Sequence, residues 1–202
     1  RRKGSILYIF EKKHNLMSLT PSNMLPLGTV APDFELWDSV SGSTKTLNKL
    51  KGSKGTLVFF ICNHCPFVIH INEALVSMAN NLLKKGIGVV AISSNDVETY
   101  PQDSPEKMQV HAKITNYPFP YLYDETQSVA KAYDAACTPD FFLFDSTLKL
   151  VYRGQLDASR PGNGIPVNGV DLLYAVQCMI ENKVNTHPQK PSIGCNIKWK
   201  TS

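Results

Sequence analysis

The chain has 202 residues, 43% of them hydrophobic and 19% charged, which is the size and composition of one globular domain with a sizeable core. Its net charge of +4 is already supplied by residues 1–16, where Arg1, Arg2, Lys3, Lys12 and Lys13 face only Glu11. The remainder is neutral overall, so no basic surface for nucleic acid is expected. No apolar run approaches the roughly 20 residues of a membrane-spanning helix.

Residues 1–16 read as an extension ahead of a single domain over 17–202, either an upstream segment or the remnant of an organelle transit sequence. Their apolar run, Ile6 to Phe10, is shorter than the roughly 7 to 15 residues of a secretory signal core. The expected compartment is the cytoplasm, or an organelle if residues 1–16 direct import. Five cysteines, Cys62, Cys65, Cys137, Cys178 and Cys195, make an odd number without regular spacing, which argues against a disulfide-stapled secreted fold. Catalytic or buried thiols are expected instead.

In chain order, "APDFELWDSVSGSTKTLNKLKG" (31–52) reads as a hairpin and a short connection. "TLVFFI" (56–61) is a continuous apolar run, as in a strand buried on both faces. Val68, Ile71, Leu75, Ala79 and Leu82 recur at helical spacing and predict a helix over 66–84, closed by Gly86. "IGVVAIS" (87–93) is a second buried strand, and Ser104 with Pro105 opens a helix over 104–114.

Strand 120–124, a helix over 126–136, strands 140–145 and 148–154 around a tight "DSTL" turn, and a helix over 170–182 follow. Cys178 falls on the last helix and reads as core packing. The Pro-rich tail "THPQKPSIGCNIKWKTS" (186–202) is expected to lie over the surface. This order predicts an α/β thioredoxin-like fold: a central mixed β-sheet flanked by helices, with an N-terminal hairpin extension.

The chemistry concentrates in "FFICNHCPFV" (59–68). A thiolate is the nucleophile of disulfide exchange, and redox proteins lower its pKa with a helix N-terminus or a basic neighbour. Pro66 suits the first helical turn, so Cys65 becomes the cap residue at an exposed helix entrance, its sulfur facing the amides of Phe67 and Val68. His64 adds a titratable group beside it.

The stretches "LGTVAPDFEL", "FFICNHCPFV", "FPYLYDETQSVAKAYDAACTPDFFLFD" and "YRGQLDASRPGN" resemble the thioredoxin-like redoxins of the alkyl hydroperoxide reductase and thiol-specific antioxidant group, over about residues 17 to 200. "CNHCP", "CTPDFFLFD" and "PSIGCNIKWK" together resemble a subgroup described as peroxiredoxin-like proteins carrying a CxxC. The resemblance implies a cis-proline at Thr138-Pro139 facing the cysteine pair, with Cys137 near Cys65 as a further resolving thiol or a buried bystander. It points two ways on the attacking residue. Counted from the strand, Cys65 falls where thioredoxins and peroxiredoxins keep their nucleophile; read as C-x-H-C, the segment is similar to protein disulfide isomerases, whose first cysteine, here Cys62, attacks. The helix terminus favours Cys65.

The expected activity is thiol-disulfide oxidoreduction, in which Cys65 attacks, Cys62 resolves and an external dithiol, such as a thioredoxin or glutathione system, restores the pair. Substrates are protein or low-molecular-weight disulfides, and neither an organic cofactor nor a metal is required. One alternative is a hydroperoxide reductase. However, where the resemblance expects a proline, a threonine and an arginine around the nucleophile, this sequence has Val58, Cys62 and Pro139. The alternative from another class is a metal module using Cys62, Cys65, His64 and Cys137, although no second CxxC or HxxxH completes a zinc site.

Overall fold

The computed structural model describes residues 19–201, so the expectations for residues 1–16 lie outside the described residues. Its strands and helices begin with β1 (Leu19–Pro21), β2 (Glu35–Asp38), β3 (Ser43–Thr46), α1 (Leu47–Leu50), β4 (Gly55–Phe60), α2 (Pro66–Lys84) and β5 (Ile87–Ser93). They continue with α3 (Pro105–Thr115), β6 (Tyr121–Tyr123), α4 (Ser128–Ala132), β7 (Cys137–Thr138), β8 (Asp140–Asp145), β9 (Leu150–Gly154), α5 (Val170–Ile180) and β10 (Ile193–Asn196).

All six residues of β4 are buried, because the strand is central and covered on both faces. It runs parallel to β5, with Leu57 beside Val89, and antiparallel to β8, with Leu57 beside Leu143. Successive side chains point to opposite faces. Leu57 and Phe59 therefore pack with Val68, Ile71 and Leu75 of α2, Ala112 of α3 and Val176 of α5. Val58 and Phe60 pack with Leu47 of α1 and with Val129 and Ala130 of α4. Full burial of each such aliphatic or aromatic side chain stabilises the fold by roughly 1.5–3 kcal/mol.

The mixed sheet has the order β3-β2-β6-β5-β4-β8-β9, so the expected N-terminal hairpin forms its edge. α2 spans the residues its periodicity predicts. It ends through Lys85 into Gly86, whose φ of +81° lies in the left-handed region that glycine enters without a Cβ penalty.

Two expectations are corrected. The helix expected over 126–136 is confined to Ser128–Ala132, because Gln127 (φ 62°) and Asp134 (φ 50°) adopt left-handed conformations at its two ends. The tail does not simply lie over the surface. Its residues 186–191 are largely exposed, but Ser192, Cys195 and Ile197 are buried. β10 is the middle strand of a second sheet, β1-β10-β7, pairing Cys195 with Leu19 on one side and with Thr138 on the other.

Candidate active site

Ile61 N–H still donates to Ile92 O at 3.0 Å, so the sheet's hydrogen bonding carries the chain one residue past β4 before it turns. Cys62, Asn63 and His64 make that turn, and Cys65 caps α2 with an extended backbone (φ −71°, ψ 120°). Its carbonyl accepts from the N–H groups of Val68 and Ile69, each at 3.0 Å. The Cys65 side chain makes no capping hydrogen bond, which departs from the expected thiol-to-amide contact. Its Sγ instead lies 3.2 Å from Thr138 O and 3.0 Å from Cys195 Sγ.

The Thr138–Pro139 peptide is cis, and Thr138 touches both cysteines of the pair. Its carbonyl meets Cys65, while its Oγ1 stands 3.6 Å from Cys62 Sγ. The entrance expected to be exposed is roofed by β10, leaving Cys62, Cys65 and Cys195 all buried. Gly194 makes this fit possible, since a Cβ there would stand 2.0 Å from Thr138 O.

The three thiols are electrostatically unequal. Hydrogen bonds with Cys195 and Cys62 hold the Cys65 pKa far below the usual thiol range, against the opposing effect of burial. The same contacts work the other way on the partners. The hydrogen bond with Cys65, then burial, pushes both Cys62 and Cys195 up, and the Asp103 carboxylate adds to the effect on Cys62. These contacts favour ionisation of Cys65 ahead of Cys62 and Cys195.

His64 does not face Cys65. Its Nδ1 lies 2.7 Å from Asp103 Oδ2, off the line of a well-aligned hydrogen bond, and its ring stacks on Tyr100 at 5.8 Å between centroids. Asp103 is fully buried and accepts from Asn63 N–H and from Asn95 Nδ2, each at 2.8 Å. Cys62 Sγ, a His64 ring nitrogen and an Asp103 oxygen all lie within 4.8 Å of one another. Sequence reasoning missed Asp103, which sits in the polar stretch between β5 and α3. The reason it arrives here is topological: loops leaving the same end of two neighbouring parallel strands share one edge of the sheet.

Cys137 Sγ faces Pro139 O at 3.7 Å, and burial, with the Asp140 carboxylate second, raises its pKa. The thiol brought against Cys65 from outside the CxxC is Cys195, which the sequence offered without a role. Cys178 is buried on α5, as its helical position predicts. Arg153 and Arg160 are engaged elsewhere, Arg153 on Leu25 O and Gln189, Arg160 on Asp157 O, Ser159 O and Gln155.

Among solved structures, an uncharacterized conserved protein from Geobacillus kaustophilus is 56% identical, with a TM-score of 0.90 over 92% of this chain and 98% of that one. A hypothetical protein from Sinorhizobium meliloti is 51% identical, with a TM-score of 0.87 over 91% of this chain and 100% of that one. The thioredoxin domain of a thiol-disulfide oxidoreductase from Bacteroides vulgatus, 22% identical, superposes with a TM-score of 0.55 over 65% of this chain and 89% of that one. That likeness establishes the thioredoxin-like fold. Comparison with curated proteins finds no match. The AhpC/TSA family model covers residues 27–153, a span running from just before the edge hairpin through both CxxC thiols and the cis-proline to β9, and the chain belongs to that family.

Proposed function

We propose that the protein is a thiol-disulfide oxidoreductase whose nucleophile is Cys65. The observation that carries this reading is the placement of Cys65 at the head of α2, its sulfur 3.2 Å from Thr138 O at the cis-proline and 3.0 Å from Cys195 Sγ, contacts that go with a lowered pKa. The thiolate attacks one sulfur of a substrate disulfide, forming a mixed disulfide and releasing the other half as a thiolate. Cys62 then loses its proton and attacks Cys65 Sγ, which expels the second half and closes the CxxC disulfide. Two electrons pass from the cysteine pair to the substrate, and an external dithiol returns them.

Formation of the mixed disulfide removes the charge on Cys65 that held the Cys62 proton in place. His64, anchored by Asp103 near Cys62, is positioned to take that proton. Substrates are protein or low-molecular-weight disulfides, the reductant is a thioredoxin or glutathione system, and the chemistry suits a reducing compartment such as the cytoplasm. Among the described residues, no helix is long and apolar enough to cross a membrane. The reaction needs no organic cofactor.

The test is reduction of oxidised glutathione and of insulin disulfides by the full chain, with dithiothreitol as reductant, comparing wild type with Cys65→Ser. Loss of at least about 10²-fold in rate is expected on removal of a nucleophile. Near-wild-type turnover by Cys65→Ser sinks the proposal.

One observation favours a second reading, metal binding: the thiol, imidazole and carboxylate of Cys62, His64 and Asp103 are grouped within 4.8 Å. Against it, Asp103 already accepts from two donors as well as facing His64. Elemental analysis of the reduced protein separates the two readings, since a bound zinc ion would occupy Cys62 and block resolution.

A further inference from the structure

The proposed cycle gives Cys195 no part in resolving the mixed disulfide, yet its sulfur stands 3.0 Å from the nucleophile. We propose that Cys195 is a second resolving thiol, which attacks the Cys65 mixed disulfide from the tail strand and closes a Cys65–Cys195 bond. This deepens the reading above and rests on Cys65 being the nucleophile.

The contact is built by the fold. Cys195 is held by backbone pairing on both sides, to Leu19 of β1 and to Thr138 of β7. Gly194 lets β10 approach Thr138 more closely than any side chain would allow. Beyond the strand, Ile197 N–H donates to Ala136 O at 3.1 Å and Lys198 N–H to Asn95 Oδ1 at 2.9 Å, so the segment is fastened past Cys195 as well. Thr138 sits under all three thiols: it pairs with Cys195, accepts toward Cys65 and approaches Cys62. Closing 3.0 Å to the roughly 2.0 Å of a disulfide takes a movement of about 1 Å.

The chemistry balances. After attack on a disulfide RSSR′, the Cys65–S–S–R bond is formed and R′S⁻ has left. Cys195 gives up its proton, its sulfur bonds to Cys65 Sγ, the Cys65–SR bond breaks and RS⁻ leaves, to be protonated by solvent. The two cysteines are oxidised by two electrons, and RSSR′ is reduced to RSH and R′SH. An external dithiol, dithiothreitol in the assay, reopens the bond. The interaction with an ionised Cys65 that raises the Cys195 pKa is removed when the mixed disulfide forms, as it is for Cys62.

The experiment uses the full chain carrying Cys62→Ser. The reduced protein is given one equivalent of oxidised glutathione, quenched with N-ethylmaleimide and mapped by mass spectrometry. The expected product is a peptide pair linking Cys65 to Cys195, with glutathione released. In Cys62→Ser/Cys195→Ser the glutathione adduct on Cys65 should persist at least about tenfold longer. A stable adduct on Cys65 with Cys195 alkylated, in Cys62→Ser, overturns this inference and leaves the nucleophile assignment standing. Absence of both adduct and crosslink on Cys65 overturns the proposed function together with it. Wild type, oxidised with half an equivalent, guards against misfolding of the variant: Cys65–Cys195 peptides beside Cys62–Cys65 peptides support the inference, and Cys62–Cys65 alone refutes it.

Discussion

His64 Nδ1 and Asp103 Oδ2, 39 positions apart in the sequence, meet at 2.7 Å beside Cys62. Asp103 in turn fixes the CxxC turn through Asn63 N–H. Asp103→Asn is therefore expected to slow resolution of a Cys65 mixed disulfide by about tenfold or more, with little change in the rate at which that disulfide first forms. It should also lower stability by roughly 1–3 kcal/mol, because buried donors lose a charged acceptor. Rapid-quench measurement of adduct formation and decay separates the two steps, and equal slowing of both would contradict the assignment of His64 to the second.

Since Cys65 is held far below the usual thiol range while Cys62 is pushed above it, the two should differ in how alkylation depends on pH. The Cys65 thiolate persists as pH falls, so its reaction with iodoacetamide should stay nearly flat from about pH 8 down to about pH 5. Reaction of Cys62 should fall about tenfold for each unit over the same range. Peptide mapping of partly alkylated protein reads both, and the reverse pattern would make Cys62 the nucleophile.

Burial pushes the Asp140 carboxyl up to about 7, despite a hydrogen bond from Ser22 Oγ at 2.7 Å to Oδ1. A raised pKa means that the folded state holds the proton more tightly than the unfolded chain. The stability this contributes is complete below an unfolded value near 3.8 and is lost as pH rises through about 7. Asp140→Asn, neutral throughout, should gain on wild type between about pH 4 and about pH 8, by on the order of 4 kcal/mol at most. Urea midpoints at the two ends of that window measure the gain; parallel curves would mean that Asp140 is not titrating there.

Gly194→Val places a Cβ where Thr138 O already stands. The expected result is separation of β10 from β7, a loss of roughly 1–3 kcal/mol from overpacking, and faster alkylation of Cys65 at high pH. Its advantage at low pH should shrink, because the contact with Cys195 that lowers its pKa is weakened. Unchanged reactivity at both ends of the pH range would show that β10 does not control the thiol.

Peroxide chemistry asks for donors that polarise the O–O bond. At the three places where the family resemblance expects them stand Val58, Cys62 and Pro139, and both Arg153 and Arg160 bond elsewhere. Each missing donor of this kind costs about 10²-fold or more in rate. Oxidation by hydrogen peroxide and cumene hydroperoxide is thus expected at the pace of an ordinary low-pKa thiol, slower than reduction of oxidised glutathione. Stopped-flow rates typical of a dedicated peroxidase, surviving in Cys62→Ser, would favour the hydroperoxide reductase reading.

Much of the scaffold is legible in the sequence because its signals are local. The apolar run of β4, the helical spacing from Val68 to Leu82, Ser104 and Pro105 at the head of α3, and Pro66 after Cys65 each reflect a preference within a few residues. They are enough to place Cys65 at the start of α2. The short α4 escapes such reading, since the left-handed Gln127 and Asp134 that bound it carry no strong local signature.

The site's electrostatics are decided by tertiary structure, because they depend on groups far apart in the chain. The largest influence lowering the Cys65 pKa comes from Cys195, 130 positions further along the chain. Which way His64 turns is set by Asp103 on a neighbouring loop. The tail's close approach to Thr138 depends on Gly194, where a Cβ would stand 2.0 Å from the Thr138 carbonyl oxygen. Sequence specifies the thiols and their helix, whereas the pKa of a buried sulfur depends on the groups packed around it, and one of them, Cys195, arrives only through the pairing of β10 with β7.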